Sequence, residues 1–359
     1  MTFIKLFQPD AFQLTGLLAV LTILAGFIAI GGALGGKNRF SAVDLFVGWG
    51  MASALFTLGG VFGGVPFTWL AAGLSVALVP AAMVIRKHLT DGGSYPGDAT
   101  VIWKILLLAL PLLLIAAAMK ASQWDEFSHW LPNAQYIFRH DGFPGGAMAP
   151  ITSAHPAYPY GLPIITYLAS KLTGRFIENG SAIANVALHL ALAPVYLSVI
   201  SRGLGQSPAW ARQWSVAALG ILGVTVLSTT FIQKLILTAY ADATTSVVLA
   251  VAGVLVWKIL ENLSEKSIEK YERPRSLAWQ FAWVTVVLLS IKQSNLALFG
   301  LLLTGMVVVA IVDRKIMLID IIRLMPIMVA PGVIVYLVWR YHVATYMPDG
   351  EHVILPFAR

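Results

Sequence analysis

Two adjacent carboxylic acids, Asp125 and Glu126, follow a long apolar run at 101–119. A carboxylate at such a place is costly unless it faces water, a metal ion or a substrate. The pair could therefore supply a general base, or bind a divalent cation such as Mg²⁺ or Mn²⁺ together with His129. The competing interpretation is structural: Asp125 would cap a helix, with Glu126 in its favourable first turn.

Further groups able to bind a substrate occur in later segments of the chain. Three prolines and a glycine surround His155 and Tyr160, and they predict an irregular backbone that is tolerated at membrane depth only around a watery cavity or inside protein. Lys292 interrupts an apolar stretch, so it should bind an anionic partner or extend to the membrane surface. The candidate substrate-binding residues are Lys292, Gln293, Asp242, Tyr240, Lys234, His155, Tyr160 and His129.

The composition indicates what kind of molecule positions these groups. Of the 359 residues, 58% are hydrophobic and only 11% are charged, and the mean hydropathy is +0.79. Apolar runs of about twenty residues, long enough to cross a bilayer, recur along the chain. We therefore expect an all-α polytopic membrane protein. Because the sequence has no cysteine, disulfides and thiolate chemistry are excluded.

The apolar runs predict about ten transmembrane helices. These lie at 12–36, 41–61, 66–86, 101–119, 180–201, 213–231, 244–261, 277–291, 294–313 and 323–345. The stretch 159–173 is short and contains Pro163, which suits a half-buried or re-entrant helix. With that stretch uncrossed and the loop 120–157 outside, the dense basic loop 258–275 falls inside, as the positive-inside rule favours. The charged candidates then converge on one outer face.

The outer loop is expected to carry a helix along the membrane surface. Apolar residues recur at helical spacing over 127–138, which predicts an amphipathic helix lying in the interface. The residues expected on or near its polar side are His129, Asn133, Gln135 and Arg139. Such a helix beside an acidic pair would border a cleft that both lipid and water reach.

Two glycine-rich stretches, 31–36 and 59–64, are expected to let helices approach closely. They are not phosphate-binding loops, because no strand precedes them and no Lys-Ser or Lys-Thr pair follows.

The order of these segments resembles the GT-C superfamily, which comprises integral membrane glycosyltransferases that use polyprenyl- or dolichyl-phosphate sugars. The segments that carry the resemblance are Trp124-Asp125-Glu126, His155-Pro156 through Tyr160, Tyr240-Ala241-Asp242 and Lys292-Gln293. It implies a GT-C-like seven-helix core over 101–345, whose outer loop 120–179 holds surface helices. A three-helix transmembrane segment, 1–100, would precede this core, and a short outer tail, 346–359, would follow it.

The resemblance also implies roles for individual residues. Asp125 matches the acidic residue proposed as general base in the family's first outer loop, and Glu126 would assist it or bind metal. Asp242 matches a second acidic position, and Lys292 would lie near the donor phosphate. The implied reaction is an inverting transfer of sugar from a lipid-linked donor to a hydroxyl of a glycan, lipid or protein acceptor.

Other classes of function fit parts of the sequence. A transporter or lipid flippase would place charged residues near the bilayer midplane in discontinuous helices. An acyltransferase or phosphotransferase would act through His129 or His155, and a non-catalytic assembly subunit would need neither. Nucleic-acid binding is disfavoured, because the basic loop 258–275 is interleaved with glutamates. The lack of a retention signal or transit peptide favours the bacterial inner membrane, with the site facing the periplasm or the exterior.

Overall fold

A computed structural model describes residues 8–36, 38–92, 98–228, 231–264, 272–313 and 316–347. All regular structure in these ranges is helical. In chain order the helices are α1 (Ala11–Leu34), α2 (Asp44–Val61), α3 (Phe67–Thr90), α4 (Ala99–Leu108), α5 (Leu110–Ala118), α6 (Leu131–His140), α7 (Gly161–Thr173), α8 (Gly180–Gly203), α9 (Pro208–Ala211), α10 (Trp214–Val224), α11 (Gln233–Ile236), α12 (Ala241–Ser264), α13 (Glu272–Leu289), α14 (Asn295–Val312) and α15 (Leu318–Tyr346). A 3₁₀ turn, Ser41–Val43, leads into α2, and a π-helical turn, Glu126–Trp130, leads into α6.

Within the described residues, seven helices are long and apolar enough to cross a membrane. They are α1, α2 with its 3₁₀ turn, α3, α8, α12, α14 and α15. This result supports the expected class, a polytopic helical membrane protein. The polar tail predicted at 346–359 lies almost entirely outside the described residues.

The expected number of about ten spans is not confirmed, because three of the predicted segments fail the same test. The segment 101–119 divides into α4 and α5, which are bent by 62° and would count as an eighth span if taken together. Pro111, in the first turn of α5, has no N–H to continue the α4 ladder. The segment 213–231 contains only the 11-residue α10, and α13 begins with charged residues.

The core of the bundle forms where α2 and α13 pack together, with α1, α12 and α15 around them. Glycines permit the closest crossing, between α1 and α2. A side chain at Gly31 would overlap the carbonyl oxygen of Asp44, and one at Gly48 would overlap that of Phe27. The expected close approach at the glycine-rich stretch 31–36 is therefore confirmed. Since α2 also contacts α15, the segments 1–100 and 101–345 share one core.

The ambiguous stretch 159–173 forms α7, which has only 13 residues. At 1.5 Å per residue it spans roughly 20 Å, which is too short to cross a hydrocarbon core of about 30 Å. Its residues from Gly161 to Ser170 are buried, and Gly161 N donates a hydrogen bond to Ser290 O at 2.7 Å. The helix is therefore held within the protein, as predicted.

The predicted interfacial helix differs from expectation in which of its residues are buried. Asn133 and His129 were expected on the polar side, yet both are buried, while the side chain of Phe127 is 58% exposed. The reason is that the chain returns over this helix. Asn133 Nδ2 donates to His155 O at 3.2 Å, and the Tyr136 hydroxyl donates to Ala149 O at 2.7 Å.

Candidate functional site

Three separate segments meet at one end of the bundle: the loop after α5, the start of α12 and the turn between α13 and α14. We call it the outer end after the topology predicted from the sequence. The closest contact joins Lys292 Nζ to Asp242 Oδ1 at 2.6 Å. The Lys292 side chain is 20% exposed and that of Asp242 is 55% exposed. Lys292 Nζ also lies 5.7 Å from the centre of the Trp130 ring. Asp242 is therefore the anionic partner of Lys292, which is one of the two outcomes expected from the sequence.

Glu126 fastens the outer loop to the segment before α12. Only 3% of the residue is exposed, and both carboxylate oxygens accept backbone hydrogen bonds. Oε2 accepts from Ser122 N at 2.9 Å and Gln123 N at 3.0 Å, whereas Oε1 accepts from Ala239 N at 2.7 Å. These bonds compensate the buried charge and fix the position of the neighbouring residue, Asp125.

The carboxylate of Asp125 is placed differently from that of Glu126. Asp125 is half-buried at the start of the π-helical turn, where its side chain makes no capping hydrogen bond. Its backbone N–H donates to the Tyr240 hydroxyl at 3.4 Å. Among the described residues no hydrogen bond or ion pair engages its carboxylate, so the helix-capping interpretation is wrong. The Asp125 carboxylate can therefore accept a hydrogen bond or a proton from a ligand.

His129 lies beside this carboxylate and is held neutral. Burial, then His155, and then Lys292 lower the pKa of His129 to about 4, while Asp125 and Asp242 act in the opposite direction. Its Nδ1 is 2.8 Å from Ser128 Oγ. At neutral pH the imidazole is therefore an uncharged hydrogen-bonding group rather than a cation.

Flat rings line the same cluster. Tyr158 stacks on His155 with ring centres 4.9 Å apart and planes 11° apart, and its edge meets His129 at 5.4 Å. Trp130 lies 5.7 Å from Tyr158. Burial and then the charges of Asp125 and Asp242 raise the pKa of the Tyr158 hydroxyl, which keeps it protonated. Sequence reasoning missed Tyr158, whose only signal was its place between His155 and Tyr160.

Gln293 supports the turn that presents these rings. Its Nε2 donates to Ala157 O at 2.8 Å, and Trp339 Nε1 donates to the same oxygen at 2.9 Å. Arg340 donates from Nη1 to Gln293 Oε1 at 3.3 Å. Neither Trp339 nor Arg340 was a candidate from the sequence, because α15 read only as a transmembrane helix.

Two other predicted site residues lie elsewhere. Tyr160 is almost fully buried and packs against Phe143 at 5.3 Å and Trp339 at 5.5 Å, so it belongs to the core. Lys234 is exposed on the short helix α11, and within the described residues no contact joins its side chain to the cluster. Tyr240 is held nearby instead, since Asn185 Nδ2 donates to its carbonyl oxygen at 2.9 Å.

The side chains expected to bind a divalent metal ion, Mg²⁺ or Mn²⁺, are Asp125, Glu126 and His129. In the part of the chain that the structure describes, no group of three or more His, Asp and Glu side chains is placed to hold an ion. Both oxygens of Glu126 accept hydrogen bonds from backbone amides, whereas the Asp125 carboxylate accepts none among the described residues.

The arrangement therefore combines the Asp125 carboxylate, which accepts no hydrogen bond among the described residues, the Lys292 ammonium paired with Asp242, and a group of aromatic rings. It can accept a proton at Asp125 and stabilise an anion at Lys292, provided that the anion displaces Asp242. Comparison of the chain with models of protein families, with curated proteins and with solved structures gave no match.

Proposed function

We propose that this protein is an integral membrane glycosyltransferase that transfers a sugar from a polyprenyl-phosphate donor to an acceptor hydroxyl. The observation that carries the proposal is that two groups occur in one cluster at the outer end: the Asp125 carboxylate, which accepts no hydrogen bond among the described residues, and the Lys292 ammonium. A base and a fixed cation are the two groups that a glycosyl transfer from a phosphate needs. The proposed location is a bacterial inner membrane, with the site facing outward.

In the proposed reaction, Asp125 accepts the proton of the acceptor hydroxyl while the hydroxyl oxygen bonds to the anomeric carbon. The bond between that carbon and the phosphate oxygen breaks, and its electron pair leaves with the polyprenyl phosphate. A single displacement of this kind inverts the anomeric configuration. General base catalysis raises the rate about 10²- to 10⁴-fold. The Lys292 ammonium leaves Asp242, pairs with the donor phosphate and stabilises the negative charge that develops there.

The surroundings of the two charges suit a lipid-linked sugar. Tyr158 and His155 present flat faces against which a sugar ring can pack. Trp124 and Phe127 project from the same loop and are exposed, which is typical of side chains that lie at the membrane interface. A donor whose lipid tail remains in the bilayer can therefore place its phosphate beside Lys292.

One observation favours the alternative class, a transporter or lipid flippase. The 62° bend between α4 and α5 is a discontinuous helix of the kind that transporters use to bind ions or substrates. However, the residues at the bend, Leu108 to Leu110, are all apolar. Because the charged side chains of the candidate site cluster at one end of the bundle and not at this break, we prefer the glycosyltransferase.

The proposal is tested by transfer of radiolabelled sugar from a panel of polyprenyl-phosphate donors, in membranes that contain wild type or Asp125→Asn. We expect transfer by the wild type and a loss of at least about 100-fold in the variant, as removal of a general base predicts. Asp91→Asn serves as the matched control, since Asp91 is an exposed aspartate after the far end of α3.

Two other results would change the assignment. Equal transfer by wild type and Asp125→Asn would remove Asp125 from the mechanism. Absence of transfer from every donor would favour the transporter, which a lipid-flipping assay in vesicles would then examine.

A further inference from the structure

A second polar cavity, of about 460 Å³, lies at the end of the bundle opposite the candidate site. Six segments converge on it: the turn before α2, the start of α4, the end of α8, the short helix α9, the end of α12 and the start of α13. Its charged lining residues are Arg39, Arg202, Lys258, Arg273 and Asp98. Four basic residues and one acidic residue therefore line a single cavity.

Lys258 is the most telling of these residues. It is only 7% exposed, and its ammonium lies 4.3 Å from the centre of the Phe40 ring and 5.5 Å from that of Trp257. Among the described residues no carboxylate pairs with this ammonium and no acceptor receives a hydrogen bond from it. Buried charges in proteins are otherwise paired, so this ammonium can pair with an anion that enters the cavity.

Two of the other cations already have partners. Arg39 Nε lies 3.0 Å from Asp44 Oδ2, with both side chains fully buried, and Arg202 Nε lies 3.0 Å from Glu261 Oε1. The Arg39 guanidinium is closed off from the cavity by its burial, whereas the Arg202 side chain is 36% exposed and is held by Glu261 where a ligand can reach it. Lys258 and Arg273 then leave an excess of positive charge over Asp98.

We propose that this cavity binds an anion that carries a phosphate group. A phosphate has several acceptor oxygens, which match a combination of guanidinium forks with one ammonium. The volume is within the range of small-molecule sites, roughly 300–1,000 Å³. Asn262 and Gln206 add amide groups to the lining. The site is separate from the glycosyl-transfer cluster, and it stands or falls independently of that proposal.

The position of the cavity leaves two sources for such an anion. Basic residues concentrate at this end of the bundle, which the positive-inside rule places on the cytoplasmic side. Both the headgroup of an anionic phospholipid and a soluble organic phosphate can reach an opening there. The two sources have the same recognition chemistry and are separated by experiment.

The experiment measures binding by native mass spectrometry of the full chain in detergent, titrated with phosphatidylglycerol, phosphatidylcholine or glycerol phosphate. Wild type is compared with Lys258→Met, which removes the charge but retains an apolar stem for Phe40 and Trp257. The matched control is Lys104→Met, because Lys104 also lies over two tryptophan rings, Trp103 and Trp214, but does not line the cavity. Size-exclusion elution and thermal stability without ligand confirm that each variant is folded.

We expect at least one phosphate-bearing anion to bind the wild type and the Lys104→Met control equally, and at least tenfold more weakly to Lys258→Met. Binding of phosphatidylglycerol alone identifies a lipid headgroup site, and binding of glycerol phosphate identifies a site for a soluble organic phosphate. Equal binding to wild type and Lys258→Met would overturn the proposal, as would a phosphatidylcholine affinity equal to that of phosphatidylglycerol in the absence of glycerol phosphate binding. Absence of binding by all three ligands would overturn it as well.

Discussion

Lys292 and Asp242 are 50 residues apart in the sequence, yet their charged groups lie 2.6 Å apart at the outer end of the bundle. The contact joins the first turn of α12 to the turn between α13 and α14. Because both side chains remain partly exposed to solvent, the pair can open at little cost. The same ammonium is therefore available to a ligand whose negative charge is stronger than that of one carboxylate.

Replacement of Lys292 should separate activity from stability. We expect Lys292→Met to lower kcat/KM for sugar transfer at least tenfold, because the fixed cation at the phosphate is lost. The free energy of unfolding should fall by no more than about 1 kcal/mol, as for other partly exposed ion pairs. Lys171→Met is the matched control, since Lys171 pairs with Asp141 at 3.0 Å and both side chains are also partly exposed. A similar loss of activity in both variants would contradict a specific role for Lys292.

Replacement of Glu126 should act mainly on stability. In Glu126→Gln the new amide group must face a backbone N–H where an oxygen now accepts, which should cost about 1–3 kcal/mol. The measurement is the midpoint of thermal unfolding in detergent. Glu178→Gln provides the comparison, because Glu178 accepts one backbone hydrogen bond, from Ala121 N at 3.2 Å, but is exposed. If the two variants lost the same stability, burial of Glu126 would not matter.

His129 should make the protein less stable in acid. Its pKa is about 4 in the folded state and 6.5 when unperturbed, so the unfolded chain binds more protons between these values. Stability contributed by the neutral imidazole is therefore complete above about pH 6.5 and is lost as the pH falls towards 4. We expect a smaller drop in unfolding temperature from pH 7.5 to 4.5 in His129→Gln than in wild type or in His140→Gln, whose histidine is exposed. Equal drops in all three would contradict the burial of His129.

The crossing of α1 and α2 should tolerate no side chain at Gly31. Because a methyl group there would overlap the Asp44 carbonyl oxygen, Gly31→Ala should cost about 1–3 kcal/mol or more through forced separation of the helices. Gly73→Ala tests the general effect of alanine in a helix, since no atom lies within 4 Å of the added group. It should change stability by less than about 1 kcal/mol. Unfolding temperatures of the two purified variants give the comparison.

The sidedness of the chain is accessible because the sequence has no native cysteine. Cysteines introduced singly at Ala147 and Asp91, both exposed, should react oppositely with a membrane-impermeant maleimide added to intact cells. We expect labelling of Ala147→Cys and none of Asp91→Cys until the membrane is permeabilised. The reverse pattern would place the Asp125 cluster on the cytoplasmic side and remove the outward-facing reaction.

Much of the helical framework followed from hydropathy, since length and apolar content are local properties. The segment 41–61 begins and ends as predicted. The bend before Leu110 was missed because hydropathy averaged over about twenty residues does not detect a single missing backbone N–H, that of Pro111. Most apolar residues of α6 are buried, as their helical spacing predicted. The expectation that His129 and Asn133 face water was wrong, because a returning loop, rather than water, receives the hydrogen bond of Asn133.

The candidate site was predicted in part for a similar reason. Asp125 and Lys292 were recognised because charges are rare next to apolar helices. Tyr158 carries no such signal, and its position depends on a stack with His155 that only the fold creates. The role of Glu126 was not predictable either, because one of its donors, Ala239, lies 113 residues away in sequence.

The hydrogen bonds that Glu126 accepts from backbone amides of the loop 122–126 and of the segment before α12 limit how these two segments can move. To move the loop 122–126 away from the start of α12 would break the hydrogen bond from Ala239 N to a carboxylate that is almost inaccessible to water. These two segments should therefore shift only as a unit during turnover. A bulky donor is therefore expected to enter on the side of the cluster away from Glu126. There the Lys292–Asp242 ion pair can open, and the 155–158 turn is held by a hydrogen bond from Gln293. In hydrogen exchange, Ala239 N–H should accordingly be among the slowest amides of the outer end.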